Sequence, residues 1–260
     1  MKTFALKFTL FLIGALTYLL VLNTCDLPTD PGPMPKSIIE TKFEPGLNIF
    51  GVLRADSVSG SSFIHVETVM KTEELYEGTG EIFDTTVTVQ LSDSATGEVF
   101  TFTMIEDTSY RGYYFNDSFQ PVSGHRYSLE VQSEILPTLK AETLVPMRPE
   151  VVLNSLRISN TTLEFQISTT ADTYQYNCYL FFGDQYLEKQ IVNDGKPLWD
   201  IAFGLSGTPT KLVIIGYDQN LAEYLNSMPS FIPQTFHEMV TTVENGYGCF
   251  GSLAVTTIQF

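Results

Sequence analysis

Beyond residue 46 the chain is built from short runs in which apolar and polar residues alternate with a period of two, and helical spacing is nearly absent. Such alternation sends one set of side chains to each face of a pleated strand, so it commits a chain to sheets with one buried face. The clearest case is TTVTVQL. Val87, Val89 and Leu91 share one face there, and Thr86, Thr88 and Gln90 the other. The segment Asp93-Ser94-Ala95-Thr96-Gly97 supplies a turn, and VFTFTMI returns as a hairpin partner. Strands are predicted at Leu47–Arg54, Phe63–Met70, Thr85–Ser92, Glu98–Ile105, Gly112–Phe115, Arg126–Gln132 and Leu139–Val145. Strands at this spacing, joined by polar turns, predict an antiparallel sandwich of immunoglobulin or transthyretin type over residues 37–146.

Pro146 and Pro149 mark a boundary, after which strands restart at Val151–Ile158, Thr162–Ser168, Tyr174–Phe182, Leu198–Phe203, Lys211–Tyr217 and Leu253–Gln259. A second β-rich domain is therefore expected over 150–260, with AEYLNSM and TFHEMV as its short helices, separated by Pro229 and Pro233. The expected fold class is all-β.

The amino-terminal end has a different character. Lys2 and Lys7 precede an apolar run, Phe8–Leu22, interrupted only by Thr9, Thr17 and Tyr18, and no acidic residue occurs before Asp26. The run is shorter than the roughly 20 residues of a bilayer-crossing helix and reads as a secretory signal over residues 1–24. It ends in Leu22-Asn23-Thr24-Cys25, which resembles the lipobox of bacterial lipoproteins, with Asn23 and Thr24 in place of the usual small residues. That resemblance implies lipid on Cys25 and cleavage before it. Several acyl chains on one residue anchor stably where one binds only marginally. Residues 25–36, rich in proline, then read as a tether.

The formal charge is −16, and it becomes −18 without residues 1–24, which hold two lysines and no acid. Such a surface excludes nucleic acid, whose phosphates need clustered Lys and Arg. Cations or basic patches on a partner are compatible with it.

Three stretches carry a family resemblance: ATGEVFTFTMIEDTSYRGYYFNDSFQPVSGHRYSLEVQ with KAETLVPMRPEV, then YLNSMPSFIPQTFHEMVTTVENGYGCFGS, and the cysteine with its proline tether. Together they resemble the Bacteroidota outer-membrane lipoprotein family called domain of unknown function 4249. Its Gly-x-x-Tyr-x-Leu-x-Val strand is matched by Gly124, Tyr127, Leu129 and Val131. Its terminal glycine segment is matched by Asn245, Gly246, Gly248, Phe250 and Gly251. Phe231-Ile232-Pro233-Gln234-Thr235-Phe236 departs from the Asn-Pro-Phe stretch usual there. The resemblance implies an outer-membrane lipoprotein, often encoded beside TonB-dependent transporters, with no catalytic residues to carry over.

No His-Glu-x-x-His, Gly-x-Ser-x-Gly or phosphate-cradling Gly-x-x-x-x-Gly-Lys-Ser/Thr motif occurs, and His65, His125 and His237 lie far apart. The expectation is a non-enzymatic binding or accessory module without cofactor or metal, anchored at the outer membrane with the cell surface favoured over the periplasmic face. A TonB-dependent transporter or another surface complex is the expected partner. The alternatives are a surface glycan hydrolase using paired carboxylates and a purely structural envelope protein. Aromatic residues are the richest feature, with 19 Phe and 13 Tyr. Tyr113, Tyr114 and Tyr247 are the candidate contacts to a partner or ligand, set against the plainer reading that large rings fill cores.

Asp56-Ser57-Val58, Asp84-Thr85-Thr86 and Asp93-Ser94-Ala95 resemble the acceptor triplet of Bacteroidota O-glycosylation, making Ser94, Ser57 and Thr85 candidate modified residues. Cys178 reads as a small buried hydrophobe; an oxidising compartment permits a Cys178–Cys249 disulfide, and two unreactive thiols are the alternative. The segment Glu244–Ser252 places glycines at 246, 248 and 251. Glycine is costly in an ordinary strand, so a close backbone approach or a positive φ is expected, with Tyr247 and Phe250 packed on the second domain's core.

Overall fold

The computed structural model describes residues 44–260 apart from 57, 72–73, 75–76, 79–81, 106–109 and 228–239. The signal, Cys25, the tether, Ser57 and the TFHEMV helix therefore lie outside the described residues, TFHEMV but for its last residue, Val240. The rest is all-β with one helix among the described residues, as the alternation predicts.

The first half contributes β1 (Leu47–Ala55), β2 (Phe63–Thr68), β3 (Thr88–Asp93), β4 (Val99–Met104), β5 (Tyr113–Phe115), β6 (Arg126–Gln132) and β7 (Leu139–Leu144). Strand β4 pairs with β3 through Val89↔Phe102 and with β5 through Thr103↔Phe115, and so passes from one layer to the other. Leu47, Ile49, Leu53, Ile64 and Val66 come from the β1–β2 layer, and Val89, Leu91, Leu129, Val131 and Leu139 from the β3–β6–β7 layer. Their shared core makes this a two-layer sandwich.

The second half contributes β8 (Glu150–Val151), β9 (Arg157–Ile158), β10 (Thr162–Ser168), β11 (Gln175–Phe182), β12 (Gln185–Val192), β13 (Leu198–Gly204), β14 (Lys211–Tyr217), helix α1 (Gln219–Ser227), β15 (Val243–Glu244) and β16 (Gly246–Gln259). Leu163, Phe165 and Ile167 of β10, with Ile201 and Phe203 of β13, face Tyr176, Cys178, Leu180, Leu212 and Ile214. One predicted strand and one unpredicted strand depart from expectation. Val151–Ile158 is two short strands broken by a turn, where Asn154 takes φ +66°. Strand β12 escaped the sequence reading because seven of its eight residues are exposed, so burial imposes no alternation on it.

The halves meet on β16. Its first part runs parallel to β1, Leu47↔Gly246 through Ala55↔Ala254, and its last part pairs antiparallel with β14, Tyr217↔Leu253 through Lys211↔Gln259. A single sheet of twelve strands results, in the order β12-β11-β14-β16-β1-β2-β5-β4-β3-β6-β7-β15. The sheet thus crosses the boundary expected at Pro146–Pro149. Helix α1 packs Leu221 and Ala222 against Val52, Tyr217 and Cys249, covering the seam from outside.

The glycine segment opens β16, seven residues earlier than the strand read from sequence. Gly248 has φ +98°, and a β-carbon there would lie 2.0 Å from the Ile49 carbonyl oxygen. At Gly251 a β-carbon would lie 2.7 Å from the Leu221 nitrogen. Close backbone approach is what these glycines permit. The expected packing of Phe250 is corrected: its ring is fully buried in the core of the first half, with Leu47, Ile64 and Leu139. The reason is the parallel pairing with β1, which turns Phe250 into that sandwich. Tyr247 is 40% exposed and rests on neither core; its hydroxyl donates to the Glu44 carbonyl at 3.2 Å.

Candidate interaction surface

Alternation along β1, β2 and β5 sends Ile49, Ile64 and Tyr114 inward and leaves Phe50, Phe63, His65, Tyr113 and Phe115 on the outer face. These outer rings form a continuous file. Phe50 and Phe63 have centroids 5.9 Å apart, Phe63 and Tyr113 5.7 Å, and Tyr113 and His65 4.3 Å. Tyr113 and Phe115, two positions apart on one strand, are nearly parallel at 17°. Tyr224 of α1 caps one end, 5.7 Å from Phe50. At the other, Tyr110 is 52% exposed and sets its edge against Tyr113. The Arg111 guanidinium stands 5.2 Å over the Phe83 ring, whose edge meets His65. Gly112, at φ +83°, makes room for that ring: a β-carbon there would lie 2.3 Å from Phe83.

Tyr113 therefore lies, half-buried, on the outer aromatic face. Tyr114 does not. It is 4% exposed and belongs to the sandwich core, because adjacent residues of a strand point to opposite faces. Its phenol is pushed above the usual tyrosine range by burial and by the nearby Asp84 charge. Tyr247 lies on a different part of the molecule, beside Gly46 and Asn245. The structure brings neither of them to the face that Tyr113 occupies. Missed by the sequence reading were Phe50, Phe63 and His65, whose common face with Tyr113 depends on strands distant in sequence. A smaller aromatic group sits on β11 and β12, where Tyr186 meets Tyr179 and Phe181 and the Lys211 ammonium stands 4.3 Å over Phe181.

The Asp-Ser/Thr triplets share one local geometry. Asp56, Asp84 and Asp93 each accept, through Oδ1, the N–H two residues on, from Val58, Thr86 and Ala95 at 2.9, 2.8 and 2.8 Å. In the second and third triplets this Asx turn puts Thr85 and Ser94 at the tip. Ser94 and Thr85 are exposed. Asp93 is itself buried and takes a 2.8 Å contact from His125 Nδ1.

A polar cleft of about 450 Å³ opens on the seam between the halves, lined among others by Arg126, Glu142, Asp172, Tyr174 and Asp218. Burial pushes the Asp218 carboxyl up to about 6, against backbone N–H bonds from Ser252 and Leu221 that favour its charge. Cys178 and Cys249 are both free and buried, in separate clusters, so the disulfide reading is corrected: β16 directs Cys249 outward under α1 and β11 directs Cys178 into the second core. Burial pushes both thiols up to about 12. Among the described residues no group of three or more His, Cys, Asp or Glu is arranged to hold a metal ion. No described helix is long and apolar enough to cross a membrane.

No family model matches the chain, and no curated protein does. Among solved structures, the chicken interferon gamma receptor alpha chain aligns over 66% of this chain and 87% of its own, at 6% identity and a TM-score of 0.22.

Proposed function

We propose that the chain is an outer-membrane lipoprotein, held by lipid on Cys25, whose β part is a non-enzymatic accessory module that binds a TonB-dependent transporter or another surface complex. The observation that supports a binding role is the aromatic file on the outer face of β1, β2 and β5. Tyr114 points inward to the core; Phe50, Phe63, Tyr113 and Phe115 lie on the opposite face and touch one another, with Phe50 and Phe63 also packing against the cluster beneath α1 and Tyr113 and Phe115 extending the file beyond it. Tyrosine and phenylalanine supply large, rigid contact area of the kind that dominates interface energy. The chain is acidic overall, which suits a partner with basic patches.

Co-purification from outer membranes tests this reading: the full chain retains a partner in mild detergent, and a Tyr110→Ala/Tyr113→Ala variant loses it. A monomer without a partner across several detergents would overturn it. Protease shaving of intact cells tests the cell-surface placement, where digestion of the β part is expected. Intact mass before and after Ser94→Ala and Thr85→Ala tests the two exposed turn-tip residues as glycan acceptors.

A second reading, hydrolysis of glycans through paired carboxylates, is favoured by the seam cleft alone, which gathers Glu142, Asp172 and the raised Asp218. Against it, Asp218 is committed to hydrogen bonds with Thr143, Ser252 and Leu221. Turnover of a glycan panel that Asp218→Asn abolishes would establish this reading. A purely structural envelope protein, the third, would show neither turnover nor a retained partner.

A further inference from the structure

Asp218 sits where β7, β16 and α1 meet, and its contacts allow the hydrogens in them to be counted. Oδ1 accepts two backbone N–H groups, from Leu221 at 2.9 Å and Ser252 at 3.0 Å. Oδ2 lies 2.5 Å from Thr143 Oγ1, which lies 2.9 Å from Ser252 Oγ, which lies 3.0 Å from the Leu144 carbonyl oxygen. These are three oxygen–oxygen contacts in a row. Each needs one hydrogen, and two lone-pair oxygens at such distances repel without it. The two hydroxyls supply one hydrogen each, and a carbonyl supplies none. The third must come from the carboxyl group.

We infer that Asp218, Thr143 and Ser252 form a proton-dependent latch between the two halves: protonated Asp218 donates to Thr143, Thr143 to Ser252, and Ser252 to the Leu144 carbonyl. Loss of that proton reverses the Thr143 bond and leaves one contact of the chain without a hydrogen. All three residues are buried, at 4%, 2% and 0% exposure, so a missing hydrogen bond among them is costly.

The surroundings do not supply a cation to hold Asp218 ionised. Arg126 of β6, across the cleft, is directed to Glu142 of β7 at 3.7 Å. Asp172 and Tyr174, from the segment before β11 and its first turn, complete the cleft wall. Glu223 on α1 accepts from Gln219, and Cys249 of β16 is a neutral thiol. Burial of the carboxyl, pushed up to about 6 from 3.8, agrees with the count. The sign follows from the raised value. The native state keeps its proton at pH values where the unfolded chain has lost it. The latch's contribution is therefore fully present below pH 3.8 and is lost as pH rises through about 6.

Asp218→Asn distinguishes this state from an ionised cap, because the amide N–H₂ donates where the acid proton would and the amide oxygen still accepts from Leu221 and Ser252. Unfolding of the full chain in urea, followed from pH 4 to pH 7, is the measurement. The folding equilibrium of the wild type should fall relative to that of the variant by on the order of fiftyfold over that range. A variant less stable by the same factor at every pH would overturn the latch. The Asp218 carboxyl resonance of the ¹³C-labelled wild type reads the same proton without any substitution: titration near pH 6 supports it, and titration below pH 4 removes it.

Discussion

The Ile49 carbonyl oxygen occupies the space a side chain at Gly248 would need, 2.0 Å from the position of a β-carbon there. Since Gly248 also has φ +98°, both sterics and backbone strain reserve it for glycine. Gly248→Val should therefore cost about 3 kcal/mol or more. Gly97→Ala is the control: its φ is +74° but nothing lies within 4 Å, so only the strain of roughly 1 kcal/mol is expected. Urea denaturation of the two variants checks the difference.

Phe250→Ala should destabilise by about 3 to 5 kcal/mol, the cost of a large cavity in a close-packed core. The loss is expected in the first half, because the ring packs with residues of β1, β2 and β7. Hydrogen exchange should show increased opening of β1, β2 and β7 in particular. Loss confined to β10 and β13 would contradict the assignment.

Neighbouring tyrosines should separate stability from binding. Tyr114→Ala removes a buried ring and should cost about 3 kcal/mol, whereas Tyr113→Ala should change stability by less than about 1 kcal/mol while weakening partner capture. Thermal melts and pull-downs run on both variants test this together.

Asp93 should act on pH stability in the opposite direction to Asp218. Burial works to raise its pKa, but hydrogen bonds from His125, Ala95 and Thr96 outweigh it and hold the carboxyl below its usual range. A depressed value means stability present above the unfolded pKa of 3.8 and lost as pH falls through the folded one. Asp93→Asn should be less stable than the wild type at pH 7, with the gap closing below pH 4.

Both thiols should be silent in the native state. Cys178 and Cys249 are fully buried and keep their protons at neutral pH, so a thiol reagent should label neither until denaturant is added. Labelling of both after unfolding without reductant would confirm that they are free.

Much of the fold was legible because burial on one face writes itself into sequence as alternation. TTVTVQL, VFTFTMI and RYSLEVQ each show it, and β3, β4 and β6 lie where those runs are. Strand β12 shows none because it is exposed on both faces. The parallel pairing of β1 with β16 was not legible either, since nothing local in Leu47–Ala55 identifies a partner near the other end of the chain. That omission also misplaced Phe250. The aromatic face was half legible. Tyr110 and Tyr113 are close in sequence, but Phe50 and Phe63 join them only through sheet register.

The place of β16 beside β1 has a consequence for how the molecule is made. Leu47 waits about two hundred residues for Gly246, its partner in the sheet. A ribosome that has delivered all of β1 to β7 has not yet delivered the strand that lies against β1, nor the Phe250 ring that belongs in their core. The first sandwich is consequently finished last, and contacts so distant in sequence close slowly. A nascent chain stopped short of residue 246 leaves one side of β1 open to pair with another chain, so β16 acts as both keystone and protection against misassembly.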